Sequence, residues 1–361
     1  MTTFTKEDLK RFQAESLADK IQRSLAKISE WYARWDDEVY ISFSGGKDST
    51  VLADICAQWC KIIEEPLHLV FINTGLEYPE IQQFVKFFAQ WLRDKYGIEV
   101  ILDILRPKMR FDEVIKTYGY PLISKEVAKK ISEYRSKPDG YTNLVFNPES
   151  EKIKRYGKKY DMSKWIPLRD SNIPISHKCC DVMKKAPAHL FEKVTGKKPI
   201  IATLAEESAL RRTEWIRSGC NAFDSKRPVS KPMSFWTEQD VLAYLDEYNV
   251  PIAAPYGDII KDEAGKYKTT KCDRTGCIFC AFGCHNDSSE SRFQRLKETH
   301  PRQYEYCIGG GEYGENGIWR PNKAGLGMGH IFDELNSLYG EDFVRYKSRS
   351  EWLDELLGDD L

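Results

Sequence analysis

The sequence has almost no net charge and no long apolar run. Its 54 Lys and Arg residues nearly balance 55 Asp and Glu residues, which leaves a net charge of −1. A chain without an overall field is not marked as a general nucleic-acid or membrane binder, so any basic surface must be local. No apolar run approaches the roughly 20 residues that a membrane-spanning helix needs, and Met1–Lys10 lacks an apolar signal-peptide core. We therefore expect a cytoplasmic location and no membrane partner.

Without a secretion signal, the ten cysteines indicate metal or redox chemistry rather than disulfides. Two groups have the spacing of ligands: the adjacent pair Cys179 and Cys180, and a short segment with Cys272, Cys277, Cys280 and Cys284. The other four are scattered, at Cys56, Cys60, Cys220 and Cys307. Thiolates suit iron–sulfur clusters and zinc, and the short segment alone contains enough of them for a local four-thiolate site.

Apolar periodicity predicts an α/β fold with a helical leader. Near-helical spacing of apolar residues from Lys6 to Trp35 predicts one or two amphipathic helices. Strand-like runs then alternate with helical patterns, which implies right-handed crossovers and a Rossmann-like parallel sheet with helices on both faces. The predicted strands are Glu38–Phe43, Leu67–Asn73, Glu99–Ile104 and Pro199–Thr203, and the predicted helices are Ser49–Ile63, Pro79–Tyr96 and Thr237–Tyr248.

We expect three parts along the chain. Residues 1–36 form the helical segment, residues 37–250 form the nucleotide-binding α/β domain with an insertion at about 106–198, and residues 251–361 form a Cys-rich, metal-binding C-terminal region. Within the insertion, Pro121–Tyr160 holds ten Lys and Arg residues against five Asp and Glu residues. This local excess indicates either a surface for a polyanion or a solvated helix face with a loop.

A glycine-bounded loop directly follows the first predicted strand and opens the next helix. It consists of Ser44, Gly45, Gly46, Lys47, Asp48, Ser49 and Thr50. A glycine pair lets successive backbone N–H groups point at an anion, and the helix N-terminus adds partial positive charge. Lys47 and Asp48 are the candidate catalytic residues, because Lys47 can pair with phosphate oxygens and Asp48 suits Mg²⁺. The alternative is a polar strand-to-helix turn.

The spacing is not that of a Walker loop, and it resembles the PP-loop of ATP pyrophosphatases, in the adenine nucleotide alpha hydrolase-like superfamily. Four further segments are similar to motifs of the phosphoadenosine phosphosulfate (PAPS) reductase family. They are Phe71–Glu80, with Asn73 in place of the usual Asp, then Lys178–Pro187, Pro232–Leu245 and Thr275–Cys280. The resemblance covers residues from about Glu38 to Cys284. It implies binding of ATP with Mg²⁺, cleaved between the α- and β-phosphates.

The resemblance also implies ligand sets. Beside the loop, the residues expected to contact the nucleotide are Asn73, Thr74, Gly75, Glu207, Ser208 and Arg211. The residues in the positions of 4Fe–4S ligands are Cys179, Cys180, Cys277 and Cys280. Zinc is the alternative metal, and Cys272, Cys277, Cys280 and Cys284 are the alternative local set.

Three departures from the family pattern shift the expected chemistry from reduction to ATP cleavage. The family's catalytic cysteine, carried in an ECGxH-like tail, is missing from this sequence, where Cys307 lies in a different context. Leu204 occupies the position of an anion-binding arginine. Finally, the reductases carry a degenerate loop, whereas Lys47 and Asp48 complete the ATP-cleaving form.

Three functions remain open at this point. The leading hypothesis is an ATP pyrophosphatase that activates an acceptor for sulfur transfer, with nucleic acid as one candidate acceptor. The second is a thiol-dependent adenylylsulfate or phosphoadenylylsulfate reductase. The third is a nucleotide-gated binding subunit of a nucleic-acid modification or defence complex. The expected partners are an adenine nucleotide, then nucleic acid or a protein that supplies sulfur, and a second copy of the chain.

Overall fold

The computed structural model of the chain describes residues 4–287 and 290–347. These residues form two compact units. The first unit consists of the described residues up to Pro107 together with Ala186–Gly276, and the second consists of Lys108–Lys185 together with the described residues from Cys277 onward. The division into residues 1–36, 37–250 and 251–361 stays a prediction.

The described residues contain fourteen α-helices and twelve short or medium strands. The helices are Lys6–Gln13 (α1), Leu17–Arg34 (α2), Lys47–Ile63 (α3), Pro79–Tyr96 (α4), Phe111–Tyr118 (α5), Lys125–Ser136 (α6), Glu151–Tyr156 (α7), Ile166–Asp170 (α8), Ala186–Thr195 (α9), Ala209–Ser218 (α10), Glu238–Glu247 (α11), Arg292–Thr299 (α12), Pro301–Ile308 (α13) and Met328–Tyr339 (α14). The strands are Val39–Ser42 (β1), Leu67–Ile72 (β2), Val100–Leu105 (β3), Leu122–Ile123 (β4), Lys198–Ile201 (β5), Asn221–Ala222 (β6), Val229–Ser230 (β7), Ile259–Lys261 (β8), Tyr267–Thr269 (β9), Ala281–Phe282 (β10), Glu312–Tyr313 (β11) and Trp319–Arg320 (β12). No helix in this described part of the chain is long and apolar enough to cross a membrane.

The first unit is built on a six-stranded sheet with the order β3-β2-β1-β5-β7-β6. Every neighbouring pair is parallel except β6 with β7, at the edge. Helix α3 connects β1 to β2 and α4 connects β2 to β3, as the alternation of patterns predicted. The α/β fold with a mostly parallel sheet is thus confirmed. The sheet grows from β1 to β2 and β3 on one side and then continues with β5 on the other side of β1. This reversal of the strand order opens a crevice at the carboxyl end of β1.

The helical leader packs into the core of the first unit. Helix α2 buries Ile21, Ile28 and Trp31, in keeping with the apolar spacing of the sequence. Lys20 is only 2 % exposed, and its Nζ lies 2.7 Å from both Asp240 Oδ2 and the Gln13 carbonyl oxygen. This ion pair joins the leader to the N-terminus of α11, where Asp240 also caps the helix through Thr237.

The second unit contains a parallel pair of strands, β4 with β10, and an antiparallel hairpin, β11 with β12. Strand β4 comes from the predicted insertion and β10 from the Cys-rich segment, so these two distant stretches of sequence belong to one unit. Its C-terminal helices pack through buried aromatic residues, with the rings of Phe293 and Phe332 4.8 Å apart.

Candidate functional site

The loop between β1 and α3 lies at the crevice at the carboxyl end of β1. Gly45 has φ +72°, and a Cβ added there would lie 2.9 Å from Ile81 Cγ2, so only glycine fits. Gly46 has ordinary extended backbone and is the N-cap of α3. Helix α3 therefore begins at Lys47 with its N-terminal N–H groups at the loop, which is the geometry of an anion-binding helix start.

The hydroxyl groups of the loop hold its shape. Ser49 Oγ donates to the Gly46 carbonyl oxygen at 2.9 Å and lies 3.0 Å from Ser44 Oγ. Thr50 Oγ1 donates to the same carbonyl at 3.1 Å. Ser49 and Thr50 are buried, whereas Ser44 is exposed. Of these three loop hydroxyl groups, that of Ser44 is thus the accessible one.

Protein groups alone hold the Lys47 side chain in place. Its Nζ donates to the Asp273 carbonyl oxygen at 2.9 Å and pairs with Glu238 Oε1 at 3.0 Å, and the residue is 5 % exposed. Burial would lower the pKa of Lys47, but the carboxylates of Asp48 and Glu238 outweigh burial and raise that pKa. Lys47 is therefore a fixed positive charge at the start of α3.

A cavity of about 290 Å³ opens beside Lys47 and is rich in carboxylates. Its lining residues are Lys47, Asp48, Leu204, Glu206, Glu207, Glu238 and Arg274. Within the described part of the chain, the buried Oδ1 of Asp48 has no hydrogen-bond partner. Burial raises the pKa of Asp48, an effect that the neighbouring Lys47 and Arg274 oppose. An orphaned carboxylate oxygen in a polar cavity fits a hard cation such as Mg²⁺.

The other predicted nucleotide contacts divide into two groups. Glu207 lines the cavity, and its carboxylate pairs with Arg211 and, at 3.4 Å, with Arg274. Ser208 is the N-cap of α10 and accepts a hydrogen bond from the Arg211 backbone N–H at 3.2 Å. Its hydroxyl therefore has a structural role in this arrangement.

Asn73, Thr74 and Gly75 form a tight turn after β2. Thr74 bonds Glu77 through its backbone N–H at 3.0 Å and its hydroxyl at 2.7 Å, and Gly75 N–H donates to Asn73 Oδ1 at 3.0 Å. These three residues are not among those that line the described cavity. Their contact with a nucleotide stays a prediction.

The four predicted cluster ligands, Cys179, Cys180, Cys277 and Cys280, all belong to the second unit. A hydrogen bond with Cys180 raises the pKa of Cys179, and burial and the Cys277 and Cys280 thiols raise it further. The same bond lowers the pKa of Cys180, and Lys125 adds to that effect against burial. Thus Cys180, Cys277 and Cys280 all lie within electrostatic reach of Cys179. In residues 4–287 and 290–347, however, no three His, Cys, Asp or Glu side chains have the arrangement of a metal site.

Cys272 and Cys284, from the alternative ligand set, are both buried. Cys272 Sγ donates to the Pro255 carbonyl oxygen at 2.9 Å and packs in the core of the first unit. Burial raises the pKa of Cys284, which lies in the second unit. A thiol that bonds a carbonyl in an apolar core is suited to hold a turn, as Cys272 does here.

Several residues that build the cavity were missed by sequence reasoning. Glu238, Asp273 and Arg274 come from segments about two hundred residues after the loop, and so does Tyr256. The Tyr256 hydroxyl accepts the Lys47 backbone N–H at 3.2 Å and bonds Thr275 Oγ1 at 2.9 Å. Their positions in the sequence could have indicated them, because Glu238 lies inside the motif segment Pro232–Leu245 and Arg274 directly precedes Thr275–Cys280.

Comparison with known proteins agrees with this geometry. Residues 38–136 match the family described as phosphoadenosine phosphosulfate reductase domain. The matched range includes β1 to β3, the Ser44–Thr50 loop and the Asn73–Gly75 turn, and it ends before the first predicted metal ligand, Cys179.

Three relatives have similar identity but limited coverage. An uncharacterized protein of Methanocaldococcus jannaschii is 32 % identical over 157 residues, which are 43 % of this chain and 32 % of that protein. A second one from the same organism is 33 % identical over 108 residues, 30 % of this chain and 20 % of that protein. GMP synthase [glutamine-hydrolyzing] of Vibrio parahaemolyticus is 30 % identical over 148 residues, 40 % of this chain and 23 % of that protein. The chain thus spans less than a third of each relative's length. Over residues 38–136, this chain is thus similar to the phosphoadenosine phosphosulfate reductase domain.

Proposed function

We propose that the protein binds ATP with Mg²⁺ at Ser44–Thr50 and cleaves it between the α- and β-phosphates to activate an acceptor. The observation that carries this proposal is the pairing of a fixed Lys47 ammonium with an orphaned Asp48 carboxylate oxygen beside a glycine loop. A phosphate chain needs donors and positive charge, and its metal ion needs a carboxylate. The loop supplies both within two consecutive residues.

The roles of the residues follow from their positions. The N-terminal N–H groups of α3 and the Lys47 ammonium would hold the phosphate oxygens and stabilise the charge that develops on them. Asp48 would hold Mg²⁺, which supplies further positive charge to the phosphate chain when bound. A nucleophile of the acceptor then forms a bond to the α-phosphorus. The bond from that phosphorus to the bridging oxygen breaks, and pyrophosphate leaves with the electron pair.

Two comparisons support ATP as the nucleotide. The chain is similar both to GMP synthase [glutamine-hydrolyzing] and to the reductase family. In addition, its loop has the full Ser-Gly-Gly-Lys-Asp-Ser sequence. The alternative, reduction of a sulfonucleotide, needs an accessible thiolate that attacks the nucleotide. Cys307 is fully buried on α13 with its Sγ 3.4 Å from Met328 Sδ, and burial raises its pKa. We therefore expect no sulfite release from adenylylsulfate or phosphoadenylylsulfate with reduced thioredoxin, a reaction whose detection would restore the reductase assignment.

The metal centre is a separate proposal on which no step above depends. We expect Cys179, Cys180, Cys277 and Cys280 to hold a 4Fe–4S cluster, with zinc as the alternative, because the four belong to one unit and the other three thiols lie close enough to Cys179 to raise its pKa. Anaerobic purification with iron, sulfide and zinc analysis tests this. A cluster predicts a brown protein that dithionite bleaches and that loses iron in Cys180→Ser. Stoichiometric metal retained in Cys180→Ser would contradict this ligand set, and protein without metal would contradict the centre.

Nucleic acid is the acceptor that we favour for activation and sulfur transfer, because tyrosines and cations alternate on the insertion. Tyr141 is 67 % exposed with Lys152 Nζ 4.4 Å from its ring centre, and Tyr156 is 51 % exposed beside Arg155. Lys152 and Tyr156 are one turn apart on α7, and the Tyr156 ring lies 6.1 Å from that of Tyr160. Such a row offers stacking to unpaired bases and charge to their phosphates.

Fluorescence anisotropy with labelled single-stranded oligonucleotides tests this surface. Stacking is worth roughly 1–3 kcal/mol per base, so Tyr141→Ala with Tyr156→Ala should weaken binding about tenfold or more. The matched control is Tyr313→Ala, which removes a tyrosine that is 59 % exposed elsewhere in the same unit. Equal effects of the two changes, or no binding by the wild type, would contradict nucleic acid as the acceptor.

The reaction itself is tested with ATP labelled at the α- or the γ-phosphate. The proposal predicts labelled AMP or acceptor adenylate from the first and labelled pyrophosphate from the second, and loss of both in Asp48→Ala. Formation of ADP and phosphate would contradict cleavage between the α- and β-phosphates. Tight ATP binding without cleavage, with or without oligonucleotide, would favour the nucleotide-gated binding subunit.

A further inference from the structure

Arg274 lies between two residues that are linked to the phosphate loop, one through its backbone carbonyl oxygen and the other through its side-chain hydroxyl. The carbonyl oxygen of the preceding Asp273 accepts from Lys47 Nζ at 2.9 Å. The hydroxyl of the following Thr275 bonds the Tyr256 hydroxyl at 2.9 Å, which itself accepts the Lys47 backbone N–H. Arg274 is therefore held at the cavity by its neighbours and not by its own side chain.

Hydrogen bonds of the residues that precede Asp273 also fix this segment. Cys272 Sγ donates to the Pro255 carbonyl oxygen at 2.9 Å, and Thr269 Oγ1 donates to the Cys272 carbonyl oxygen at 3.0 Å. The Lys271 backbone N–H donates to the Tyr256 carbonyl oxygen at 3.1 Å. With the backbone fixed at these points, a side chain from position 274 has a defined origin at the cavity wall.

The side chain of Arg274, in contrast, is loosely held. It is 66 % exposed, and its ion pair with Glu207 Oε1 is 3.4 Å long, against 3.0 Å for Lys47 with Glu238. Glu207 already pairs with Arg211 through its other carboxylate oxygen. A guanidinium that shares its partner and lies in water can turn to a stronger anion at little cost.

The cavity has more acidic than basic lining residues, so a bound phosphate chain would require an additional positive group. Four of its lining residues are acidic, Asp48, Glu206, Glu207 and Glu238, and two are basic, Lys47 and Arg274. Because Lys47 is paired with Glu238, a phosphate chain in this cavity would meet an excess of negative charge. The positive charge of Arg274 also adds to burial in lowering the pKa of Arg211, so the two guanidinium groups repel each other. The Glu207 carboxylate, which pairs with both groups, offsets this repulsion in part, and a phosphate beside them would offset it further.

We infer that Arg274 binds the phosphates beyond the one held by the loop, and so makes the site selective for nucleoside triphosphates over monophosphates. This inference rests on the proposed function, since it concerns the same nucleotide. It also explains how a cavity with the apolar Leu204 in its wall still presents a guanidinium to the phosphate chain. The planar fork of Arg suits two phosphate oxygens at once.

Isothermal titration calorimetry with Mg²⁺ and ATP, AMP or inorganic tripolyphosphate tests the inference. Hydrogen bonds to charged groups correspond to roughly a ten- to hundredfold change in affinity, so Arg274→Ala should weaken ATP and tripolyphosphate binding by about that factor. AMP binding should change less than about twofold. The matched control is Lys271→Ala, which removes the same charge from an exposed position of the same segment that does not line the cavity.

Each outcome bears on the inference separately from the proposed function. Unchanged ATP affinity in Arg274→Ala, or equal losses in Arg274→Ala and Lys271→Ala, would overturn the role of Arg274. An equal loss for AMP and ATP would overturn the selectivity. If the wild type binds tripolyphosphate in an Arg274-dependent way but not ATP, the proposed function fails and the phosphate-binding role of Arg274 stands.

Discussion

The buried carboxylate of Asp54 ties the helix that carries the phosphate loop to two neighbouring helices. Asp54 is fully buried on α3 and accepts hydrogen bonds from Lys95 Nζ at 2.9 Å and Tyr96 Oη at 2.9 Å, both on α4. It also accepts one from Tyr244 Oη at 2.7 Å, on α11. Lys95→Met keeps the length of the side chain but removes the charge, which leaves the carboxylate with phenol donors alone.

The expected losses follow from these contacts. Removing one member of a buried ion pair costs about 3–5 kcal/mol of unfolding free energy, and the lower end applies here because the Lys95 side chain is 29 % exposed. Tyr244→Phe removes one hydrogen bond to a charged group and should cost about 1.5–3 kcal/mol. Lys86→Met, at an exposed position of the same helix, is the matched control and should stay within about 0.5 kcal/mol of wild type.

Urea denaturation followed by tryptophan fluorescence measures all three variants under one set of conditions. We expect the order of stability wild type, Lys86→Met, Tyr244→Phe, Lys95→Met. A Lys95→Met protein as stable as Lys86→Met would refute the view that this ion pair anchors α3. In that case the position of α3 would depend on apolar packing and on the hydrogen bonds from Tyr96 and Tyr244 to Asp54.

Three further predictions concern other ionisable groups. Lys20→Met should cost about 3 kcal/mol in thermal or urea unfolding, because it leaves the Asp240 carboxylate without its buried partner; unchanged stability would contradict this. Burial, with help from Glu238, Asp240 and Asp48, raises the pKa of Glu206. The folded state therefore holds this proton to higher pH than the unfolded state, and stability falls as pH rises from about 4.3 through the raised pKa. Glu206→Gln should thus unfold at a higher temperature than wild type at pH 7 and at an equal one at pH 4, while a gain that is the same at both values would argue against titration of Glu206. Cys307 should resist iodoacetamide at pH 8 in the native protein and react in urea, as mass spectrometry would show; rapid native labelling would contradict its burial.

The sequence predicted the sheet and the loop because both are encoded locally. Apolar runs of strand length alternate with helical periodicity from Val39 to Leu105, and the structure has strands and helices there within a few residues of the predicted bounds. The role of the glycine pair could be predicted because it depends on the backbone conformation of the two glycines themselves. Gly45 requires a positive φ, and Gly46 starts the helix.

The walls of the cavity were not predictable in the same way. Tyr256, Glu238 and Asp273 reach Lys47 from segments about two hundred residues away, and no local pattern states which distant groups will meet. The spacing of Cys272 suggested a ligand, yet burial against the Pro255 carbonyl gives its thiol a structural partner. Composition shows which residue types are present, and only tertiary packing decides which of them share a pocket.

The central claim, that Ser44–Thr50 binds the phosphates of ATP, is tested most directly by one substitution. A side chain at Gly46 needs no unusual φ, and its Cβ would lie 3.2 Å from Tyr256 Oη and 3.3 Å from Ser44 Oγ, at the mouth of the loop. A change at Gly45 would instead strain the core against Ile81 and Val85. Gly276→Val, where a Cβ meets nothing within 4 Å, is the matched control.

Calorimetric titration of ATP with Mg²⁺ into the wild type, Gly46→Val and Gly276→Val gives the decisive comparison. We expect the wild type and Gly276→Val to bind alike and Gly46→Val to lose binding while it remains folded by circular dichroism. Unchanged ATP affinity in folded Gly46→Val would contradict the assignment of this loop as the phosphate site.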